Sequence, residues 1–522
     1  MNARQFYVIR VALIVALGGF LMGFDASVIS GVVGFIGPEF GLSSIQLGWA
    51  VGSLTLTATL GMLFSGPLSD KFGRRTILKV AAVLFAVSAV SSALAPNFAL
   101  FVIARMIGGF GVGASLIIAP MYIAEISPPK MRGRLVSFNQ LNIVIGISVA
   151  FFSNYLILRW GQSGSALAQN LMVEGFEWRW MLGIETLPAL LYFVALYFVP
   201  RSPRWQIMAG DHKDAKATLT QVVGESEAQK QLQDVIQSLE ADKEKEKVSL
   251  KEIFHPSMRF VLTIGATLAV LQQITGINAV FFYAPMIFEQ SGIGTDASFM
   301  QAIFVGLTNL VFTILAIMFI DKLGRRPLLI FGLTGIAAMM FLLAGAFQSA
   351  SYELDAEQVE AIEVPVDKEL LEYMYGITYP NDIAFKRALS ETLGPEAAAE
   401  YESELIVAAI DINPNLILFG ILGFVAAFAI SIGPVMWVMF SELFPLRVRG
   451  IAIAFVGVIN SAVSFLVQLV FPWELATLGN SITFLIYGLF AAAGLIFVIK
   501  VVPETKNKSL EELEEELVRS DG

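Results

Sequence analysis

Three ionisable side chains stand in stretches otherwise built of apolar residues: Asp25 in "GGFLMGFDASVISG" (18–31), Arg105 in "LFVIARMIGGFG" (100–111) and Glu185 in "MLGIETLPAL" (181–190). A carboxylate inside such a stretch costs several kcal/mol unless it is paired, neutralised or hydrated. A nearby guanidinium favours the charged carboxylate, and a dry surrounding favours the neutral acid. An aspartate whose partner and hydration change can therefore bind and release a proton. The same pair held fixed would be a brace between helices, and Glu185 reads either as a third member or as a polar residue facing water near a helix end. The two histidines, His212 and His255, lie outside the apolar stretches, which makes them poor proton carriers through them.

Two further groups could do chemistry. Amides cluster in "QQITGINAVFFYAP" (272–285), where Gln272, Gln273 and Asn278 fall at i, i+1 and i+6, close enough in angle to share one helical sector. Charged residues cluster in "DKFGRR" (70–75), "EISPPKMRG" (125–133), "DKLGRR" (321–326) and "ELFPLRVRG" (442–450). No nucleophile–base set, metal-ligand cluster or phosphate-binding loop stands out. The glycine run "GGFGVG" (108–113) lies inside an apolar block and reads as close helix packing. An enzyme, a cofactor, a bound metal and a nucleic-acid partner are accordingly not expected.

The elements that must position these residues follow from composition. Of 522 residues 56% are hydrophobic and 15% charged, well below the roughly one quarter charged of soluble domains. The apolar residues come in blocks of about twenty or more, long enough to cross about 30 Å of hydrocarbon. This predicts an all-α polytopic membrane protein with the lipid bilayer as its solvent. β-Barrel strands would alternate over about ten residues instead. The first block is too long for a signal peptide and lacks a small-residue cleavage site, so it reads as a permanent helix. Zero cysteines exclude disulfides and thiol chemistry, and much of the formal charge of −10 sits in two local segments. Twelve spans are predicted, near 7–35, 46–67, 77–95, 98–121, 136–158, 180–199, 259–289, 298–320, 327–349, 413–439, 450–471 and 480–502. Short basic loops stay cytoplasmic. "DKFGRR", "PPKMRGR", "DKLGRR" and "PLRVRG" therefore face inside with both termini, and the expected location is a bacterial inner membrane.

That orientation runs the first span outward and the fourth inward. Asp25 and Arg105 then lie at matching depth, about 11 Å below the outer surface at 1.5 Å rise per residue. The predicted organisation is a six-helix bundle over 1–199, a cytoplasmic linker of short polar helices over 200–258, a second six-helix bundle over 259–502 and a cytoplasmic tail over 503–522. Residues 350–411 interrupt the second bundle as an acidic, outward-facing insert of short helices to which no chemistry is assigned.

The chain also repeats itself. Asp70 and Asp321 open matching motifs 251 residues apart, whereas Glu125 and Glu442 open a second pair 317 apart. The 66-residue difference is close to the length of the insert, so the two halves are equivalent six-helix units related by a pseudo-twofold axis. Parallel duplication of this kind places a substrate site between the halves, with access alternating across it. Carried across by 251, Asp25 lands on Gly276, inside the amide cluster.

In this order and spacing, "GRR" in both halves, "RGRLVSFNQ" (132–140), "PRSPRW" (200–205), "QQITGINAVFFYAP", "GPVMWVMFSELFP" (433–445) and "PETKNKSLEE" (503–512) resemble the sugar porter family of the major facilitator superfamily. The resemblance covers essentially the whole chain except the insert. It implies a secondary active transporter for a monosaccharide or polyol, with Asp25 as the proton site of a symporter; uniporters usually lack that aspartate. It also implies sugar hydroxyl ligands at Gln272, Gln273, Asn278, Gln140 and Asn309, and a sugar face stacked on Trp437. Amides suit the task because they donate and accept without a charge to desolvate. Gly433 and Pro434 are expected to break or bend the tenth span ahead of Trp437.

The charged motif residues Asp70, Arg74, Arg75, Glu125, Arg132, Asp321, Arg325, Arg326, Glu442 and Arg449 read as a cytoplasmic gate, closed in one state and broken in the other. Three positions depart from the family pattern: Phe282 stands where tyrosine is usual, Ser461 where tryptophan is frequent, and Arg201 where glutamate is usual. A facilitative uniporter for a sugar or inositol-like polyol and a transporter-like sugar sensor remain alternatives, although the short acidic tail speaks against the sensor.

Overall fold

The computed structural model describes residues 3–129, 131–244, 250–362 and 365–517. Lys130 of the basic loop "PPKMRGR", residues 245–249 of the linker and 518–522 of the tail lie outside the described residues.

Among the described residues, twelve helices are long and apolar enough to cross a membrane. They run Ala3–Gly31, Ser44–Phe72, Arg74–Ala93, Phe98–Ile126, Arg132–Gly161, Glu177–Phe198, Pro256–Glu289, Thr295–Leu323, Arg325–Gln348, Pro414–Leu443, Arg449–Thr477 and Gly479–Val501. The twelve predicted spans are all present, most of them extended at one or both ends by polar turns that hydropathy alone does not capture. This is an integral, multi-pass protein. Below, the end of each span nearer the 350–411 insert is the insert end, and the other is the loop end.

The repeat has a local structural cause. Gly73 takes φ +93° and Gly324 φ +95°, backbone that a side chain at either position would strain. Each glycine ends one span and starts the next within a single residue, so Asp70 and Arg74, and Asp321 and Arg325, meet as i,i+4 ion pairs across the turn.

Contacts divide the chain into two compact units: Met1–Val28, Ser53–Ala150 and Phe176–Ser249 in one, and Ile29–Gly52, Phe151–Gly175 and Leu250–Gly522 in the other. The boundary is not the midpoint of the sequence. The insert ends of the first, second and fifth spans cluster with the second-half helices. Close helix approach inside the first unit rests on glycine. A Cβ on Gly23 would lie 2.0 Å from the Ile143 carbonyl oxygen, and one on Gly146 2.1 Å from that of Phe20. The first and fifth spans therefore touch backbone to backbone, on the side of the first span away from Asp25.

The linker forms the short helices expected of it, Pro203–Met208, His212–Val223 and Glu225–Glu244, around a small core of Ile207, Ala215, Leu219, Ala228 and Leu232. The insert is also helical, but its ends are closed by a two-stranded antiparallel ribbon, Ser351–Tyr352 with Ile410–Asp411, which periodicity did not reveal in such short strands. Its core includes Tyr352, Leu354, Phe385, Leu389 and Leu405.

Candidate functional site

In the first unit, the first and fourth spans bring Asp25 and Arg105 together. Arg105 Nη1 donates to Asp25 Oδ1, and Arg105 Nη2 donates to the Asp25 backbone carbonyl at 3.1 Å. The side chains are 1% and 2% exposed. A pair this dry forfeits two hydration shells, so it persists only through the geometry that joins it. Asp25 Oδ2 and Arg105 Nε have no hydrogen-bond partner among the described residues. Space for the free oxygen comes from Gly108, where a Cβ would stand 2.9 Å from Asp25 Oδ2 and 2.5 Å from Ser88 Oγ.

Glu185 joins this site. It sits on the sixth span between Glu177–Gly183 and Thr186–Ala195, is 2% exposed, and lies within electrostatic range of both Asp25 and Arg105. Its Oε1 has no partner among the described residues. The water-facing alternative for Glu185 is thereby corrected: the side chain is buried in the helix packing. The Arg105 guanidinium bonds to Asp25, and a second carboxyl stands near it in surroundings too dry to stabilise an uncompensated charge.

In the second unit, the seventh span breaks at Gly276, which takes φ +90° between Arg259–Ile274 and Ile277–Glu289. The break allows Gln272, Gln273 and Asn278 to converge. Asn278 Nδ2 donates to Gln273 Oε1 at 2.8 Å, Gln273 Nε2 to Gln272 Oε1 at 3.2 Å, and Gln272 Nε2 to the Gly433 carbonyl at 3.0 Å. The eleventh span completes the cluster. Asn460 Nδ2 donates to Gln272 Oε1 at 2.8 Å, Gln273 Nε2 donates to Asn460 Oδ1 at 3.2 Å, and Asn278 Nδ2 donates to Ser464 Oγ at 2.6 Å.

Sequence reasoning had not assigned Asn460, Ser464 and Gln468 to the site. They lie at i, i+4 and i+8 of an apolar span, a polar stripe that was visible as such. Ser461, the departure from the family pattern, sits beside the network rather than in it.

Other predicted ligands fall less centrally. Asn309 is buried on the eighth span and joins none of these bonds among the described residues. Gln140 is exposed on the fifth span of the first unit. Trp437 is 46% exposed and meets Phe440 edge to face at 5.7 Å. The tenth span does break before Trp437, but at Ser431 (φ −126°, ψ −104°), two residues earlier than Gly433 suggested. Pro434, with no N–H to give to the Ile430 carbonyl, contributes to that early break.

The charged motifs pair within each unit, and they do so alike. Arg74 Nε donates to both Glu125 oxygens at 3.2 Å while its Nη1 reaches Asp70 at 2.7 Å, and Glu125 also accepts from Ser202. Arg325 Nε donates to both Glu442 oxygens at 3.2 Å with Asp321 at 3.1 Å from Nη2, and Glu442 accepts from Thr505 Oγ1 at 2.6 Å. "PRS" (200–202) and "PET" (503–505) are thus a third repeated element, too short to stand out by itself. Arg75 donates to the Val199 carbonyl at 2.8 Å, Arg326 to that of Ile499 at 2.6 Å, and Arg449 to that of Phe444 at 3.0 Å. Glu125 finds its guanidinium in Arg74 and not in Arg132, which is exposed.

The two halves also differ in how the third and ninth spans begin. Glu504 accepts from the backbone N–H of Arg325 and of Arg326, both at 3.1 Å, and caps the ninth span. The corresponding position in the first half is Arg201, whose guanidinium lies over the Trp205 ring at 5.6 Å. A carboxylate at a helix N-terminus contributes about 1 kcal/mol. Arg201→Glu is therefore expected to raise stability by about that amount, read as a higher unfolding temperature of the purified protein.

Residues 11–359 and 398–517 match the sugar (and other) transporter family. The arabinose-proton symporter of Bacillus subtilis is 35% identical over 512 residues, which cover 97% of this chain and 94% of the relative. The D-xylose-proton symporter of Escherichia coli is 35% identical over 540 residues, covering 97% and 95%. The inward open conformation of the xylose transporter XylE from E. coli superposes with a TM-score of 0.74 at 34% identity, covering 98% of this chain and 100% of that one. With the family matched along nearly its whole length, this chain belongs to the sugar transporter family.

Proposed function

We propose that the protein is a proton-coupled symporter for a monosaccharide, working by alternating access. The observation that carries this reading is the dry Asp25–Arg105 pair with a second acid, Glu185, beside it. The proton binds at Asp25 Oδ2, the oxygen left without a partner next to Gly108. Protonation removes the charge that holds Arg105, which is then free to favour Glu185. Loss of the proton on the opposite side restores the first pairing. A switch of partners between two carboxyls thus ties the proton to the direction the carrier faces. The relatives named as arabinose-proton and D-xylose-proton symporters support the coupling and the substrate class.

The sugar is held in the second unit by the amide cluster. These amides satisfy one another. A hydroxyl both donates and accepts, so it can enter an amide–amide bond and leave no atom unpaired. Gln272, Gln273, Asn278 and Asn460 are the principal ligands, Gln140 and Asn309 are further ones, and Trp437 offers an aromatic face for the C–H side of the ring. In the bilayer, the charged loops, both termini and the linker lie on the cytoplasmic side of a bacterial inner membrane, with the insert outside. The matched motif pairs act as the cytoplasmic gate.

A thermal-shift screen of purified protein against pentoses, hexoses and inositols tests the substrate class; stabilisation by a polyol alone would displace the monosaccharide. Gln273→Ala tests the site. It removes an amide that touches Gln272, Asn278 and Asn460, and it leaves their polar atoms unpaired at about 1–3 kcal/mol. The expected result is a KM for counterflow about 10- to 100-fold higher with a largely preserved maximal rate. An unchanged KM would remove Gln273 from the site.

A further inference from the structure

Residues 360–397, the middle of the insert, fall outside the family match, and the symport mechanism assigns the insert as a whole no task. The structure ties the insert to one moving part. The insert half of the seventh span, Ile277–Glu289, is separated from Arg259–Ile274 by the Gly276 break and is kinked again at Tyr283, ahead of Pro285. Within the same unit it packs against Ile29–Gly31, the insert end of the first span, and against Val33–Glu39, the short helix that follows. A short half-helix that is hinged at its start and kinked within, closing on the end of another span, has the anatomy of a gate.

The insert holds the far end of that half-helix and the turn after it, twice directly and once through Asn480 of the twelfth span. Ser403 Oγ donates to Glu289 Oε2 at 3.1 Å. Asp382, only 5% exposed, accepts through Oδ2 from the Asn480 backbone N–H and from Asn480 Nδ2, both at 3.0 Å, and Asn480 Nδ2 also donates to Gln290 Oε1 at 3.3 Å. Ile410, in the ribbon, packs so tightly on Gly292 that a Cβ there would lie 2.5 Å from Ile410 Cγ2. One end of this bridge is the seventh span and the other is the start of the twelfth, where Gly479 (φ +80°) leaves room for the Asp382 carboxylate. A surface cap with no role in the cycle would not need a buried carboxylate at this joint.

The geometry points to the insert as a brace on the half-helix gate, with Asp382 and Ser403 as positioning residues that favour its closed position. The brace rests on the alternating-access reading above. Opening the gate must either carry the insert along or break these hydrogen bonds, so the brace sets how often the insert side opens.

The chain contains no cysteine, which makes a single reporter possible. Ser30 lies in the stretch that the half-helix covers; it is 2% exposed and its Oγ has no partner among the described residues, so Ser30→Cys is a near-isosteric probe. Purified full-length Ser30→Cys protein is treated with a maleimide, alone and combined with Asp382→Ala and Ser403→Ala. Loss of hydrogen bonds to charged groups is expected to speed labelling about tenfold. Asp382→Asn, which keeps an acceptor oxygen, should fall between parent and Asp382→Ala. If Asp382→Ala does not yield folded protein, Asp382→Asn and Ser403→Ala carry the test. Labelling within about twofold of the parent in folded variants would overturn the brace. Failure of the transport reading would look different: the parent itself would move no sugar in liposomes.

Discussion

Asp25→Asn abolishes accumulation of sugar against its gradient in proteoliposomes and leaves sugar counterflow close to wild type. Asparagine matches the shape of the aspartate and can still accept from Arg105 Nη1, so the packing around Gly108 is kept. It cannot ionise, and the carrier loses the step that ties its direction to the proton. One elementary charge moving through 100 mV is worth about 2.3 kcal/mol. At about 1.4 kcal/mol per tenfold, coupling to a single proton at that potential supports about 50-fold accumulation. The variant should fall from that ratio to one. Equal loss of counterflow would mean that Asp25 is a brace for helix packing.

Arg74→Ala is expected to have the largest effect on stability. The Arg74 and Glu125 side chains are 5% and 9% exposed, and the guanidinium also binds Asp70 and the Ser69 carbonyl. Truncation leaves Glu125 with the Ser202 hydroxyl in a site with little water. Removing one partner of a buried pair costs about 3–5 kcal/mol, mainly because the remaining charge is uncompensated. The apparent unfolding temperature should drop clearly, and adding Glu125→Gln should recover much of the loss. If the double variant is no more stable than Arg74→Ala alone, the damage lies in packing and not in charge. The same substitution at Asp70, whose side chain is 54% exposed, should cost about 0–1 kcal/mol.

The legible part of this fold is the part in which neighbours in sequence share a physical role. Twelve spans were readable because lipid imposes a long apolar run on each one. The duplication was readable because Gly73 and Gly324 must take the same positive φ, and so the motifs around them persist. Asp25 and Arg105 were matched across 80 residues by depth alone, since a buried acid needs a base at its own level. The harder features depended on burial near a helix end and on breaks inside helices. Glu185 is buried although it lies near a helix end where a polar residue could equally face water, and the tenth span breaks at Ser431, ahead of the glycine and proline that signalled it. Asn460 entered the amide cluster unannounced because its partners lie 187 and 188 residues away and only its own stripe with Ser464 and Gln468 marks it. The insert's helices followed from composition, whereas its attachment through Asp382 to Asn480 spans 98 residues and leaves no pattern in either segment.

Proton movement driven by sugar is the most direct test of coupling through Asp25. Wild-type protein is reconstituted into liposomes that enclose a pH-sensitive dye, with no imposed pH gradient or membrane potential, and arabinose, xylose and glucose are added outside in turn. The sugar that the protein carries should acidify the lumen, and Asp25→Asn should abolish that signal while still exchanging labelled sugar. Sugar entry without acidification in the wild type would contradict the account and make the protein a uniporter.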